Sequence, residues 1–189
     1  MNNFTDHAII SNILNKNLEM SVDEWHNEVK KPLLPFEKSL NKRMSKIKHL
    51  KQSATYNPKT TNRQCFMQVR WQYIHENLPP VAKKNISALV RIGDYREEGA
   101  QKIFWGFNWW GNSKDVITVF RLFEKFKGTS HRLFPERCNR GPSVEGILLL
   151  AKTYNAEEVV GLPRDIKEEI VEDIEKLTVG LSNALETAE

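Results

Sequence analysis

Cysteine is scarce. Cys65 and Cys138 are the only two in 189 residues, they lie far apart, and they form no Cys-x-x-Cys pair. This excludes a disulfide scaffold and the common zinc frameworks, and predicts two reduced thiols. No apolar run approaches the ~18 or more residues that a membrane helix needs, so no membrane contact is expected. The opening MNNFTDHAII lacks a basic stretch followed by a long apolar one, which predicts no secretory signal and a cytoplasmic chain. A His-Glu-x-x-His motif, a phosphate-cradling glycine loop and a nucleophile elbow are all missing. The histidines (His7, His26, His49, His75, His131) are scattered one to a segment, as surface or internally satisfied side chains are. No metal and no cofactor is expected. Internal repeats and low-complexity tracts are also absent, so residues 1–189 are expected to form a single domain.

Charge is abundant and unevenly placed. Residues 1–142 hold 24 lysines and arginines against 13 acids, and residues 143–189 hold 4 against 11, which together give the net +4. A basic body suits phosphate backbones or an acidic protein. The acidic end can offset part of that charge inside the fold.

Along the chain, the period of the apolar residues changes twice. Thr5 can cap a first helix with the stripe Ile9, Ile10, Ile13 and Leu14. Ser21 to Glu24 reads as a capping box, opening a helix that Pro32 and Pro35 should stop. A third helix is expected from Phe36 to Lys51, apolar at Leu40, Met44, Ile47 and Leu50 and basic at Lys42 and Lys46, followed by a loop, QSATYNPKTTNRQ. Alternation then predicts strands in CFMQVRWQYI and ISALVRI. A helix follows from Val116 to Phe126, then a basic loop, TSHRLFPERCNRGP, then GILLLAKTY as a buried strand. Pro163 should start the last helix, with Ile166, Ile170, Ile174, Leu177, Leu181 and Leu185 on one face and acids on the other. The expected class is α+β: a small, mostly antiparallel sheet of three to five strands (64–155), packed by an N-terminal helical part (1–52) and a long amphipathic C-terminal helix (163–187).

The segment KIFWGFNWWGNSKD, residues 102–115, concentrates the aromatics. On a strand, Ile103, Trp105, Phe107 and Trp109 point to one face, and Phe104, Gly106, Asn108 and Trp110 to the other. The first set is core. Bare Gly106 admits either a flat ligand or another backbone. Trp110 and Phe104 serve either as core under a second helical layer or as a stacking surface beside Asn108, which can read a base edge.

Two local resemblances occur. DEWHNEVKKPLLPFEKSLNKRMSKI resembles, in Trp25, Lys30, Pro32, Leu33 and Leu40, the helical start of a widespread bacterial family of unknown function. The Arg-Phe-Ser-Lys-Asp-Lys motif of that family is absent. GILLLAKTYNAEEVVGLPRDIKEEIVEDIEKL resembles the strand, turn and helix that end the modified-base-reading domains of certain restriction subunits, without their Pro-Trp signature. Neither carries any residue over.

The leading expectation is a non-enzymatic, cytosolic bacterial or phage protein of defence or counter-defence. It would contact nucleic acid, or a nucleic-acid-binding acidic protein, through Arg132, Arg137 and Arg140 of the basic loop and Lys42 and Lys46 of the third helix, with Trp110 and Asn108 as further contacts. One alternative is a Mg²⁺-dependent nuclease acting through Asp94, Glu98 and Lys102, although the spacing from Glu98 to Lys102 exceeds Glu-x-Lys. The other alternative is an inhibitor or immunity-type protein that docks by its acidic last helix.

Overall fold

The alternating stretches form the middle of a sheet. In the computed structural model, which describes residues 5–17, 19–55, 65–83, 85–94, 101–136 and 144–187, strands β1 (Leu50–Thr55), β2 (Cys65–Tyr73), β3 (Ile86–Asp94) and β4 (Gln101–Asn112) run as an antiparallel meander. β5 (Arg132–Glu136) and β6 (Val144–Tyr154) complete the order β1-β2-β3-β4-β6-β5, with every pairing antiparallel. The sheet therefore has six strands rather than three to five. The two additions are the edges, β1 inside the expected third helix and loop, and β5 inside the expected basic loop. Edge strands need less apolar alternation, and Pro135 is tolerated in β5 because an edge leaves one side of its backbone unpaired.

Helices α1 (Thr5–Leu14), α2 (Val22–Trp25), α3 (Lys31–Met44), α4 (Val116–Phe126), α5 (Ala156–Val160) and α6 (Ile166–Glu186) complete the described chain. The capping box forms as expected: Ser21 Oγ accepts from Glu24 N at 3.2 Å, and Glu24 Oε2 accepts from Ser21 N at 2.7 Å. The prolines do not stop the helix it opens. A π-helical stretch, His26–Lys30, leads directly into α3. It widens the turn that holds the Glu28 carbonyl, which the Pro32 ring would meet in a regular α-helix. α3 ends at Met44 instead of running on to Lys51, and His49, at φ 69°, turns the chain into β1. α6 starts at Ile166 rather than Pro163, because Asp165 caps it by accepting from Lys167 N.

Among the described residues, helices pack on one face of the sheet only. Ile103, Trp105, Phe107 and Trp109 are fully buried in a large core shared with Val69, Trp71, Val90, Leu149 and the apolar faces of α1, α3, α4 and α6. A second, small cluster on the other face contains only strand residues: Leu89, Phe104, Leu148 and Leu150, with Phe134 packed against them. α4 adds Val119, Leu122 and Phe123 to the large core, so it does not cover the second face.

A β-bulge sets the phase of β6. Trp105 pairs with Lys152 but Gly106 pairs with Leu150, leaving Ala151 as the extra residue. Gly106 admits a backbone, not a ligand: a Cβ there would lie 1.9 Å from the Leu149 carbonyl oxygen. Gly106→Ala is therefore expected to cost about 1–3 kcal/mol of unfolding free energy, the usual range for overpacking. At Gly161 the nearest atom to an added Cβ is 3.6 Å away, and Gly161→Ala should stay within about 0.5 kcal/mol of the parent. Urea denaturation of both variants checks the contrast.

Candidate functional site

The bulge has a chemical result on the helix side of the sheet. Without it, Lys152 and Tyr154 would fall on the opposite face from Leu149. With it, both face α6. Lys152 Nζ pairs with Glu169 and lies 3.3 Å from Asp173 Oδ2. Tyr154 Oη donates to Glu169 Oε1 at 2.8 Å, and Trp105 Nε1 donates to Asp173 Oδ2 at 3.0 Å. Glu169 is 5% exposed and Asp173 8%, so each carboxylate depends on these donors. Burial pushes the Tyr154 hydroxyl well above the ordinary phenol range, and the Glu169 carboxylate it bonds adds to that shift. Burial alone would lower the Lys152 ammonium, but the Glu169 hydrogen bond and the Asp173 charge outweigh it and raise the group. A lysine held protonated in this way is an anchor, unsuited to act as nucleophile or base. His131 is nearby, its Nδ1 accepting from Gly128 N at 2.8 Å, and burial lowers its affinity for a proton.

This cluster was missed in the sequence, which placed the α6 acids on an outer face. Its signal is the spacing: Glu169 follows Ile166, and Asp173 follows Ile170, by three positions, which puts both carboxylates beside the apolar stripe.

The other face of the sheet has a different character. At its register positions β1 to β4 carry Lys51, Arg70, Arg91 and Lys102 and no acid, while β5 adds Arg132, with Glu136 at its far end. The residues lie in rows across the strands. One row runs Lys51, Gln72, Ser87, Asn108, Leu148, Phe134, and the next runs Arg70, Leu89, Gly106, Leu150, Arg132. Lys51 and Arg132 are exposed at opposite edges, and Arg70, Arg91, Trp110 and Phe134 are half-buried. The Arg91 guanidinium lies 5.9 Å from the centre of the Phe104 ring. The described side chains of this face are therefore cationic and polar around a small buried apolar cluster.

Asn108 is 1% exposed. In the amide orientation that satisfies both of its neighbours, Oδ1 accepts from Trp110 Nε1 at 2.7 Å and Nδ2 donates to the Ser87 carbonyl at 3.2 Å. Its amide thus orients Trp110 from below.

The remaining candidate residues are not gathered at one place. Lys42 is exposed in the last turn of α3 and Lys46 just beyond its end rather than within the helix; Leu40 and Met44 belong to the helix-side core, whereas Arg132 belongs to the opposite face. Arg137, Arg140, Glu98 and Cys138 lie outside the described residues. Asp94 pairs with Gln101 and Lys102 with Gly93, so Asp94 and Lys102 occupy alternate positions of the pleat. Among the described residues no three His, Cys, Asp or Glu side chains are grouped to hold a metal ion, and no helix is long and apolar enough to cross a membrane. The α6 acids are drawn into the fold: Glu168 pairs with Arg43 at 3.8 Å and Glu172 with Arg164 at 2.9 Å, besides the two carboxylates on Lys152. No protein-family model, curated protein or solved structure matches this chain.

Tyr154 and Lys152 both hold their protons more tightly in the folded chain than in the unfolded one. The stability they contribute is complete below about pH 10 and is lost as the pH rises through their folded values. Tyr73, also raised by burial, acts in the same direction. Tyr154→Phe is expected to make the alkaline fall in stability shallower, as measured by urea midpoints between about pH 8 and pH 11. An unchanged slope would mean that the Tyr154 hydroxyl ionises normally.

Proposed function

We propose that this chain is a non-enzymatic nucleic-acid-binding protein whose contact surface is the helix-free face of the sheet. The observation that carries this reading is the charge pattern of that face: Lys51, Arg70, Arg91, Lys102 and Arg132 stand at register positions on five of its six strands, with the half-buried rings of Trp110 and Phe134 among them. Cationic side chains serve phosphate oxygens, and aromatic rings serve bases. An acidic protein would use the charges but not the rings. Docking through α6 draws no comparable support, since Glu168, Glu169, Glu172 and Asp173 already have partners within the chain.

The test is a salt titration of binding to short labelled RNA and DNA, single- and double-stranded, with and without Mg²⁺. Affinity should fall steeply with salt. Lys51→Ala combined with Arg132→Ala should weaken binding and reduce the logarithmic salt slope by about 0.7–0.9 for each phosphate that the variant no longer neutralises. Lys42→Ala combined with Lys46→Ala, on the helix side, should leave the slope unchanged. No binding at low salt would overturn the proposal, and Mg²⁺-dependent product bands would replace it with the nuclease.

A further inference from the structure

We infer that Trp110 is the platform on which an unpaired base stacks, so that the ligand of the helix-free face is a single-stranded nucleic acid; the inference rests on the proposed nucleic-acid contact. Trp71, Trp105 and Trp109 are fully buried on the helix side, and the Trp25 indole donates to the Phe66 carbonyl at 3.2 Å. Trp110 alternates with Trp109 along β4 and therefore lies on the other face, half-buried.

Its ring is fixed from two directions. The benzo ring lies over Gly146, where an added Cβ would stand 2.6 Å from both Cε3 and Cζ3. The pyrrole N–H is held by Asn108, which is itself bonded to the Ser87 carbonyl. The side toward Gly146 and the N–H edge are thus spent, and the half-buried ring keeps part of its surface accessible. An aromatic ring held in place before binding loses little rotational freedom when a flat partner settles on it. The partner that fits is a base already free of its own neighbours. In a duplex both faces of each base are stacked, whereas in a single strand they are available, and stacking of this kind is tolerant of sequence. The row containing Arg70 and Arg132 crosses β4 at Gly106, four residues from Trp110 or roughly 13 Å, so the phosphates that follow a stacked base run onto cationic side chains.

The probes are short oligopyrimidine single strands, as RNA and as DNA, and a duplex of equal length. The wild-type protein should prefer the single strands, and its tryptophan emission should be quenched on binding. Trp110→Ala should weaken single-strand binding about tenfold, the usual loss for one stacked base, with the salt slope unchanged because the phosphates are still neutralised. Trp110→Phe should keep most of the affinity and lose the quench. Gly146→Ala touches no ligand but displaces the ring, and should weaken binding as Trp110→Ala does. Thermal melts show whether each variant folds, and where Trp110→Ala does not, Trp110→Phe and Gly146→Ala decide. Salt-steep binding by the wild type that is equally strong in Gly146→Ala, with the quench surviving in Trp110→Phe, would overturn this inference and leave the nucleic-acid contact standing. Preference for the duplex would do the same. Absence of salt-steep binding by the wild type would overturn both. A difference between the RNA and DNA strands tells which of the two the face takes.

Discussion

One extra residue in β6 governs how the layers fit together. The bulge at Ala151 reverses the phase of the strand, so Leu149 and Lys152 share a face although they are three positions apart. This delivers an ammonium and a phenol to two carboxylates on α6 that the apolar stripe alone would have stranded. The cost of burying those acids is met only because Lys152, Tyr154 and Trp105 supply donors at 2.8–3.3 Å or closer. The same bulge brings the Leu149 carbonyl so near β4 that no side chain fits at position 106. Helix placement, strand phase and one glycine are therefore a single constraint. Hydrophobic contact holds α6 to the sheet, and the ionic cluster fixes its rotation and register.

The charge split along the chain becomes a division between surfaces. On the helix side, acids of α6 meet Arg43, Lys152 and Arg164, and attraction is largely satisfied within the fold. On the sheet face, successive rows repeat the same sign, with Glu136 as the one acid at a described register position. Charges of one sign gathered on one surface give that surface a net positive potential.

Much of the fold was legible in the sequence, because the long elements follow simple periods. Met67, Val69, Trp71 and Tyr73 alternate cleanly, Ile166 to Leu185 keep helical spacing, and Ser21 with Glu24 caps as their types require. Three features were not legible. β1 reads LKQSAT and β5 reads RLFPE, and an edge strand paired on one side needs no strong alternation. Pro32 and Pro35 suggest a stop, yet the helix runs through both, with a wider turn ahead of Pro32. A bulge leaves no local mark: Lys152 and Tyr154 look like the solvent side of a strand until the pairing with Trp105 is known. The candidate surface was partly legible. Trp110 and Asn108 were singled out by alternation, but their surroundings differ, one a half-buried ring and the other the buried amide that bonds it. Lys51, Arg70 and Arg91 gather only through the strand order, which no single segment encodes.

The contact between His7 and α6 has a temporal side. His7 Nε2 accepts from Ile166 N at 3.2 Å, across 159 positions of sequence, and α1 also packs on α5. The first helix thus finishes the N-terminus of the last one. During synthesis, β1 to β4 are complete long before α6 exists, and the core side of that meander, with Trp71, Trp105 and Trp109, lacks part of its cover until the last helix has emerged. Non-local closure of this kind is slow and leaves apolar surface open in the interval. The nascent chain therefore passes through a stage in which part of its oily side is open, and the arrival of α6 closes it.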